Sequence, residues 1–159
     1  MIFVVLGTQK FQMNRLLMQI DGLIAEGKLT TPVTAQIGQS DYLPKHYFYQ
    51  RFFDKPEFEK NISEAEIVIS HCGAGTVIAA LKKNKPVIAY PRLAKYGEHV
   101  DNHQLEIASA FAKKGYVLLC DEKNDLYEQI VLCKEKTFTE FESKKNEIVR
   151  LINDYLEKL

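Results

Sequence analysis

Apolar residues fall along this chain in short continuous runs that alternate with longer stripes at helical spacing. The first run, Ile2 to Leu6, is continuously apolar, which is typical of a strand buried on both faces of a sheet. From Phe11 to Glu26 the apolar residues instead recur on one helical face, and the stripe ends at Gly27. The chain therefore begins with a strand followed by a helix.

The same alternation continues to the end of the chain. Further strands are predicted at Val33 to Ile37, Tyr47 to Phe52, Ile67 to Ser70, Val87 to Tyr90 and Tyr116 to Leu119. Further helices are predicted at Glu57 to Glu64, Thr76 to Lys83, Asp101 to Lys113, Asp125 to Cys133 and Thr139 to Lys158. Strands interleaved with helices predict an α/β, Rossmann-like fold with a parallel sheet covered by helices on both faces. No repeat or linker divides the sequence, so we expect one domain over residues 1–159 with a C-terminal helix at about 139–158.

Composition and charge narrow the class of protein. The 159 residues are 46% hydrophobic, enough for one buried core, and 21 Lys and Arg balance 21 Asp and Glu. No net field then attracts nucleic acid or an anionic membrane. Three cysteines, Cys72, Cys120 and Cys133, lack metal-ligand spacing and are odd in number, which favours a reducing compartment. The apolar start is too short for a signal peptide or a membrane span, so we expect a soluble cytoplasmic chain without nucleic-acid partners.

Glycine, hydroxyl and amide residues follow several of the predicted strands. Gly7-Thr8-Gln9 follows the first strand, Gly38-Gln39-Ser40 the second, and "SHCGAGT" begins at Ser70, the last residue of the fourth. Ligands of open parallel sheets bind beyond the carboxyl ends of the strands. The sequence therefore predicts a ligand site at this edge.

The glycine-rich segment has the composition of an anion site. Gly73 and Gly75 would let the backbone turn sharply and approach a ligand, and Thr76 is predicted to cap the helix that follows. The free N–H groups at that helix N-terminus would suit a phosphate. The segment is neither a Walker loop nor a complete dinucleotide fingerprint. The alternative is a tight strand-to-helix turn whose glycines serve geometry alone.

A second polar segment, "PRLAKYGEHVDNHQ", separates the fifth strand from an amphipathic helix. It contains Arg92, Glu98, His99, Asn102, His103 and Gln104. The two histidines are four residues apart, but no third ligand has suitable spacing, so no metal site is predicted. Loops held at the edge of a rigid sheet often carry binding residues. The alternative is a solvated loop in which Asp101 caps the helix.

Three segments together resemble a known family: "VVLGTQKFQMNRLL", "SHCGAGTVIAALKKNKPVIAYPR" and "GEHVDNHQLEIA", in this order between Met1 and about Leu119. The chain resembles the nucleotide-sugar-binding half of family 28 glycosyltransferases. More closely, it resembles the small catalytic subunits of two-component enzymes. These include the bacterial subunits of capsule and exopolysaccharide synthesis and the eukaryotic subunit that helps add the second N-acetylglucosamine to dolichol-linked oligosaccharide. The closing "PR…GEHVDNHQ" favours the bacterial branch.

This resemblance implies one half of a GT-B fold, the carboxyl-terminal half that binds the UDP-sugar donor. The expected activity is inverting transfer of a hexose from UDP-sugar to a lipid-linked saccharide. The acceptor half would come from a membrane-anchored partner subunit, which would recruit this chain to the inner face of the membrane. The donor is the substrate, and neither a metal nor another cofactor is expected.

The resemblance also implies roles for individual residues. Gly7, Thr8, Gly73, Ala74, Gly75 and Thr76 would hold the diphosphate, and Asn102, His103 and Gln104 would hold the donor, the last two at its sugar hydroxyls. His71, Glu98 and His99 are the candidates for the general base, which the partner could equally supply. Ala79 stands where many relatives carry a glutamate that binds the ribose.

Two other functions stay open at this point. One is a nucleotide-sugar-binding module that enhances a partner transferase without doing chemistry, which the missing ribose glutamate favours. The other is an autonomous small enzyme such as an epimerase, which the missing acceptor half disfavours.

Overall fold

Six parallel strands form the centre of the fold in the computed structural model, which describes residues 1–141. They are β1 (Ile2–Val5), β2 (Val33–Gln36), β3 (Phe48–Gln50), β4 (Ile67–Ser70), β5 (Val87–Ala89) and β6 (Leu118–Leu119). Their order across the sheet is β3-β2-β1-β4-β5-β6, and each neighbouring pair is parallel. The predicted Rossmann-like parallel sheet is confirmed.

Five α-helices connect the described strands or follow them. They are α1 (Asn14–Ala25), α2 (Lys55–Glu64), α3 (Ala74–Lys82), α4 (His103–Lys113) and α5 (Leu126–Glu135), and a 3₁₀ turn spans Ala94–Tyr96. The α2 helix begins two residues before its predicted start because the Asp54 side chain caps it, accepting the Glu57 N–H at 2.9 Å.

The last predicted helix falls mostly outside the described residues. Residues 139–141, which the prediction placed in its first turn, are not helical, so the predicted start at Thr139 is wrong. Residues 142–158 of that helix lie outside the described part of the chain.

Side chains from alternate residues of β1 enter two separate apolar cores, one on each face of the sheet. Ile2 and Val4 pack with α1 and α5, whereas Phe3 and Val5 pack with α2, α3 and α4. This division follows from the two-residue period of a strand. It also explains the unbroken apolar run at the start of the sequence, since both faces of β1 are buried.

The strand order reverses at β1, because successive strands are added first on one side of it and then on the other. The β2 and β3 strands lie on one side of β1, and β4 to β6 lie on the other. The loops after β1 and β4 therefore diverge, which opens a crevice at their carboxyl ends. Val5 and Ser70 are paired in register, so the loop that contains Gly7 and the glycine-rich turn after Ser70 leave the sheet side by side.

Candidate functional site

A cleft of about 870 Å³ lies at this crevice. Its polar side carries residues from the β1 loop, the β4 turn, the start of α3, and the segment joining β5 to α4: Gly7, Thr8, Gln9, His71, Gly73, Ala74, Gly75, Thr76, His99 and Gln104. Its mostly apolar side comes from the segments around α2 and α4: Phe53, Phe58, Ile107, Ala110 and Phe111, with the charged residues Lys55 and Glu106 from the same segments. The cleft therefore has a polar end and a mostly apolar end.

The α3 helix begins inside the polar end of this cleft. Gly73 is its N-cap and Ala74 its first residue, with no side chain capping it in the described part of the chain. The N–H groups of Ala74, Gly75 and Thr76 precede the first intrahelical bond, which the Val77 N–H donates to the Gly73 carbonyl at 3.1 Å. The prediction that Thr76 caps the helix is wrong, because Thr76 already lies in its first turn.

The sharp turn predicted at Gly73 and Gly75 lies at Cys72 instead, whereas the approach of these glycines to a ligand stays a prediction. Gly73 has φ −70° and Gly75 is helical, whereas Cys72 adopts the left-handed conformation with φ 73°. A Cβ atom on Gly7 would lie 2.7 Å from Nε2 of His71, and one on Gly73 would lie 2.7 Å from Cε1 of the same ring. Gly7 and Gly73 thus make room for the His71 imidazole, while a Cβ on Gly75 would meet open space.

His71 is buried between these two glycines and is neutral at pH 7. Burial, reinforced by the positive charge of Arg92, lowers the pKa of His71 to about 4. Its Nδ1 lies 3.5 Å from Oε1 of Gln104, and the same oxygen accepts the Arg92 N–H at 3.3 Å. The Arg92 N–H can only donate, so the Gln104 atom that faces it and His71 is the amide oxygen. An amide oxygen can only accept, and Nδ1 of His71 therefore carries the proton.

Glu98 is a structural carboxylate rather than an available base. It is only 1% exposed, and its two oxygens accept from Arg15 on α1 at 2.9 and 3.1 Å. Oε1 also accepts the Leu93 N–H at 3.0 Å. A carboxylate held by three donors and absent from the cleft lining is poorly placed to take a proton from a substrate. The structure therefore argues against Glu98 as the general base.

The three polar residues at the start of α4 are separated by the structure. Gln104 lines the cleft, whereas Asn102 and His103 do not. The Asn102 side chain instead accepts the Ala94 N–H at 2.9 Å, and His103 contacts Asp101 and Glu106. In the alternative interpretation of this segment Asp101 capped the helix, but Asn102 is the N-cap, although Asp101 accepts the His103 N–H at 3.0 Å.

The apolar end of the cleft was missed by the sequence analysis. Phe53 follows β3 at the same edge of the sheet, and Phe58 lies one turn into α2. Both rings contact Phe3 edge-on, with centroids 5.8 and 5.6 Å apart. The signal was present in "FFDKPEF", where aromatic residues follow a strand and flank a helix cap.

Residues 1–141 contain no helix that is long and apolar enough to cross a membrane. Within the same residues, no three His, Cys, Asp or Glu side chains are grouped so as to hold a metal ion.

Comparison with known proteins gives a family for this fold. The model of the glycosyltransferase family 28 C-terminal domain matches residues 1–156. The human UDP-N-acetylglucosamine transferase subunit ALG13 is 32% identical over 90 residues, covering 54% of this chain but 8% of the human protein. The chain thus corresponds to a small part of that relative.

Solved structures agree on the fold. The NMR solution structure of ALG13 has a TM-score of 0.62 at 20% identity, covering 94% of this chain and 93% of that one. The calicheamicin glycosyltransferase CalG4 has a TM-score of 0.61 at 17% identity, covering 98% of this chain and 38% of that one. The fold is that of the carboxyl-terminal half of GT-B glycosyltransferases.

Proposed function

This chain belongs to the family of glycosyltransferase family 28 C-terminal domains, and on that premise we propose that it is the donor-binding catalytic subunit of a split UDP-sugar glycosyltransferase. The name of its human relative supports N-acetylglucosamine as the sugar of the donor. The observation that carries the proposal is the uncapped N-terminus of α3 inside a cleft at the switch point of the sheet.

The two ends of the cleft suit the two ends of a nucleotide diphosphate. The diphosphate would accept from the N–H groups of Ala74, Gly75 and Thr76, where the helix dipole also favours negative charge. The apolar end, with Phe53 and Phe58, offers aromatic surface for a nucleobase. Gln104 uses its oxygen on His71 and Arg92, so its NH₂ group is the part that can donate to the sugar.

The reaction we propose is inverting transfer of the sugar to an acceptor hydroxyl. Negative charge grows on the departing UDP as its bond to the anomeric carbon breaks. The fixed N–H groups of α3 stabilise that charge without having to reorganise. In this scheme the helix supplies the electrostatic stabilisation, and no metal is required.

A membrane-anchored partner would supply the acceptor half. Support comes from the word "subunit" in the name of the human relative. We place the assembled enzyme at the inner face of the membrane, with a lipid-linked saccharide as acceptor. Assignment to capsule or exopolysaccharide synthesis is part of the proposal and rests on the resemblance of "PR…GEHVDNHQ" to the bacterial subunits.

One observation favours a second candidate, a non-catalytic enhancer of a partner transferase. Ala79 lies on α3 and packs against the apolar core, so this position supplies no carboxylate for a ribose. An enhancer would bind UDP-sugar yet leave transfer to the partner's own residues.

Three assays test the proposal. Calorimetry should detect UDP-N-acetylglucosamine binding to this chain alone, with UDP-glucose as the control for sugar preference. Sugar transfer should be absent with this chain alone and with the partner alone, and present when the two are combined. Transfer by the partner alone, merely increased by this chain, would favour the enhancer. Failure to bind any UDP-sugar would refute both candidates.

A further inference from the structure

Among the residues that the structure describes, one acidic side chain lines the cleft. It belongs to Glu106, in the first turn of α4, whereas neighbouring Glu98 and Asp101 are not part of the lining. The other Lys, Arg, Asp or Glu residue of the described lining is Lys55, at the start of α2. A carboxylate accepts hydrogen bonds without donating any, so it suits the hydroxyl groups of a ligand and disfavours its phosphates.

Along α4, Glu106 lies between the two ends of the cleft. Gln104, two residues earlier, lines the polar end beside His71, whereas Ala110, one turn after Glu106 on the same helix face, lines the mostly apolar end. Helical side chains lean towards the helix N-terminus, and Oε2 of Glu106 accordingly lies 3.6 Å from Nδ1 of His103. The carboxylate is therefore on the polar side of Ala110.

The ribose of a UDP-sugar has the matching place in the ligand. In the proposed binding mode the sugar lies at Gln104, the diphosphate at the start of α3, and the nucleobase at the mostly apolar end. Because the ribose joins the diphosphate to the base, it passes the part of α4 between Gln104 and Ala110. A ribose carries neighbouring 2′ and 3′ hydroxyls, and the two oxygens of one carboxylate can accept from both.

Two amide side chains of the lining are already hydrogen-bonded within the protein. The Gln36 oxygen accepts the Phe53 N–H at 3.0 Å, and its NH₂ group donates to the Leu6 carbonyl at 3.0 Å. The Gln104 oxygen is likewise used inside the protein. Both amides are buried, at 5% and 8% exposure, whereas the side chain of Glu106 is 55% exposed. A ribose can therefore reach the carboxylate without breaking either set of contacts.

We propose that Glu106 binds the ribose of the donor by accepting from its 2′ and 3′ hydroxyls, and that it thereby selects ribonucleotides over deoxyribonucleotides. This inference rests on the proposed UDP-sugar function. The carboxylate also repels the diphosphate, which lowers affinity for every nucleotide alike. Its hydrogen bonds, by contrast, are made only to a ligand that carries the hydroxyls. The ratio of affinities for ribose and deoxyribose ligands is therefore the quantity to measure.

Calorimetry with UDP, 2′-deoxy-UDP and 3′-deoxy-UDP needs neither a partner nor activity. The unaltered chain should bind UDP about fivefold or more tightly than either deoxy nucleotide, since each lacks one hydroxyl that donates to a charged acceptor. In Glu106→Ala both ratios should fall to about twofold or less, and Glu106→Gln should be intermediate because its oxygen still accepts. The matched control is Glu128→Ala, which removes an exposed carboxylate from the first turn of α5, outside the cleft, and should leave both ratios unchanged.

Inorganic pyrophosphate separates a ribose contact from a change in the anion site. Its affinity should stay within about twofold in Glu106→Ala, or rise, because the variant removes a negative charge. Ratios that Glu106→Ala leaves unchanged would overturn the inference, as would a loss of pyrophosphate affinity equal to that of UDP. A loss with UDP-N-acetylglucosamine but not with UDP would assign the carboxylate to the sugar and also overturn it. Absence of UDP binding to the unaltered chain would refute the proposed function instead.

Discussion

At the scale of single residues, the most consequential feature is a histidine kept neutral by burial. The pKa of His71 is about 4 in the folded chain, below the usual 6.5 of an exposed imidazole. The unfolded chain therefore binds more protons between these two values, and stability is lost as the pH falls from 6.5 towards 4. A difference of this size corresponds to about 3 kcal/mol when complete.

His71→Gln should flatten this part of the stability profile. The variant has no imidazole to charge, so its free energy of unfolding should fall less between pH 7 and pH 5 than that of the unaltered chain. Urea denaturation at both pH values measures the difference, and His46→Gln, at an exposed position, is the control. Equal pH dependence in His71→Gln and the unaltered chain would show that His71 is not the buried neutral group described here.

The glycines of the cleft should divide into two classes on substitution. Gly7→Ala places a Cβ 2.7 Å from His71 and should destabilise the fold by about 1–3 kcal/mol through overpacking. Gly75→Ala should leave stability unchanged or slightly raised, because the position is helical and open. Denaturation curves of the two variants check this contrast, which would fail if Gly75→Ala were the more damaging.

Gly75→Val tests the anion site rather than the fold. A branched side chain there would occupy open space beside the N–H groups of α3, so UDP affinity should fall roughly tenfold or more. The reason is occupation of the site alone, since the helical backbone at Gly75 needs no positive φ. Calorimetry with UDP on a folded variant decides the matter, with Gly75→Ala as the smaller control.

At the scale of elements, Arg15 and Arg92 hold the segment that joins β5 to α4 against α1 and the β1 loop. Arg15 binds Glu98 from α1, and buried Arg92 donates to the carbonyls of Phe11 at 3.1 Å and Glu98 at 3.4 Å. The Arg15–Glu98 pair joins this segment to α1, and the hydrogen bond from Arg92 to the Phe11 carbonyl joins it to the β1 loop. His99 follows Glu98 directly, so its position in the cleft depends on these contacts.

Glu98→Gln should loosen this segment. The amide keeps the shape of the carboxylate but leaves the Arg15 guanidinium without its anion, so the free energy of unfolding should fall by about 1–3 kcal/mol. Glu122→Gln, whose partner Lys95 is exposed, should change stability little. Thermal denaturation of both variants provides the measurement, and equal effects would mean that Glu98 contributes no more than a surface ion pair.

The sequence predicts the order and type of these elements better than their ends. Ile67 to Ser70 was predicted without error because β4 is a central strand whose run is apolar on both faces. At one sheet edge, β6 retains two of the four residues predicted from Tyr116, since an edge strand pairs on one side only. The start of α3 was misplaced because Gly73, Ala74 and Gly75 carry no helical periodicity of their own.

The candidate site was predictable in location but not in its internal contacts. The rule that ligands bind beyond the carboxyl ends of parallel strands brought Gly7, His71 and Gly73 to one edge, and the structure places them in one cleft. The pairing of Glu98 with Arg15 joins residues 83 positions apart, which no local pattern records. The contact of His99 with Asp101 depends likewise on how the segment between β5 and α4 folds back on itself.

At the scale of the whole molecule, ligand binding should act on one edge of the sheet and spare the other. The cleft lies at the carboxyl edge, while a second cavity of about 320 Å³ lies between the α3–β5 turn and residues 138–141. Both are concave surfaces, but within residues 1–141 the second has no helix N-terminus among its lining residues. A diphosphate should therefore bind in the cleft at the carboxyl edge, where α3 begins.

Hydrogen exchange with and without UDP-N-acetylglucosamine tests this choice across the chain. The N–H groups of Ala74, Gly75 and Thr76 precede the hydrogen-bonded part of α3 and should exchange quickly until the diphosphate accepts from them. The segment from Glu98 to Gln104 should gain protection as well, while the turn at Asn84 should not change. A ligand concentration about 100 times Kd should also stabilise the fold by about 2.7 kcal/mol, visible as a raised Tm.

Protection centred on Asn84 and Tyr116 would place the ligand in the second cavity. Stabilisation without protection at Ala74 to Thr76 would mean that the α3 N-terminus is not the diphosphate site.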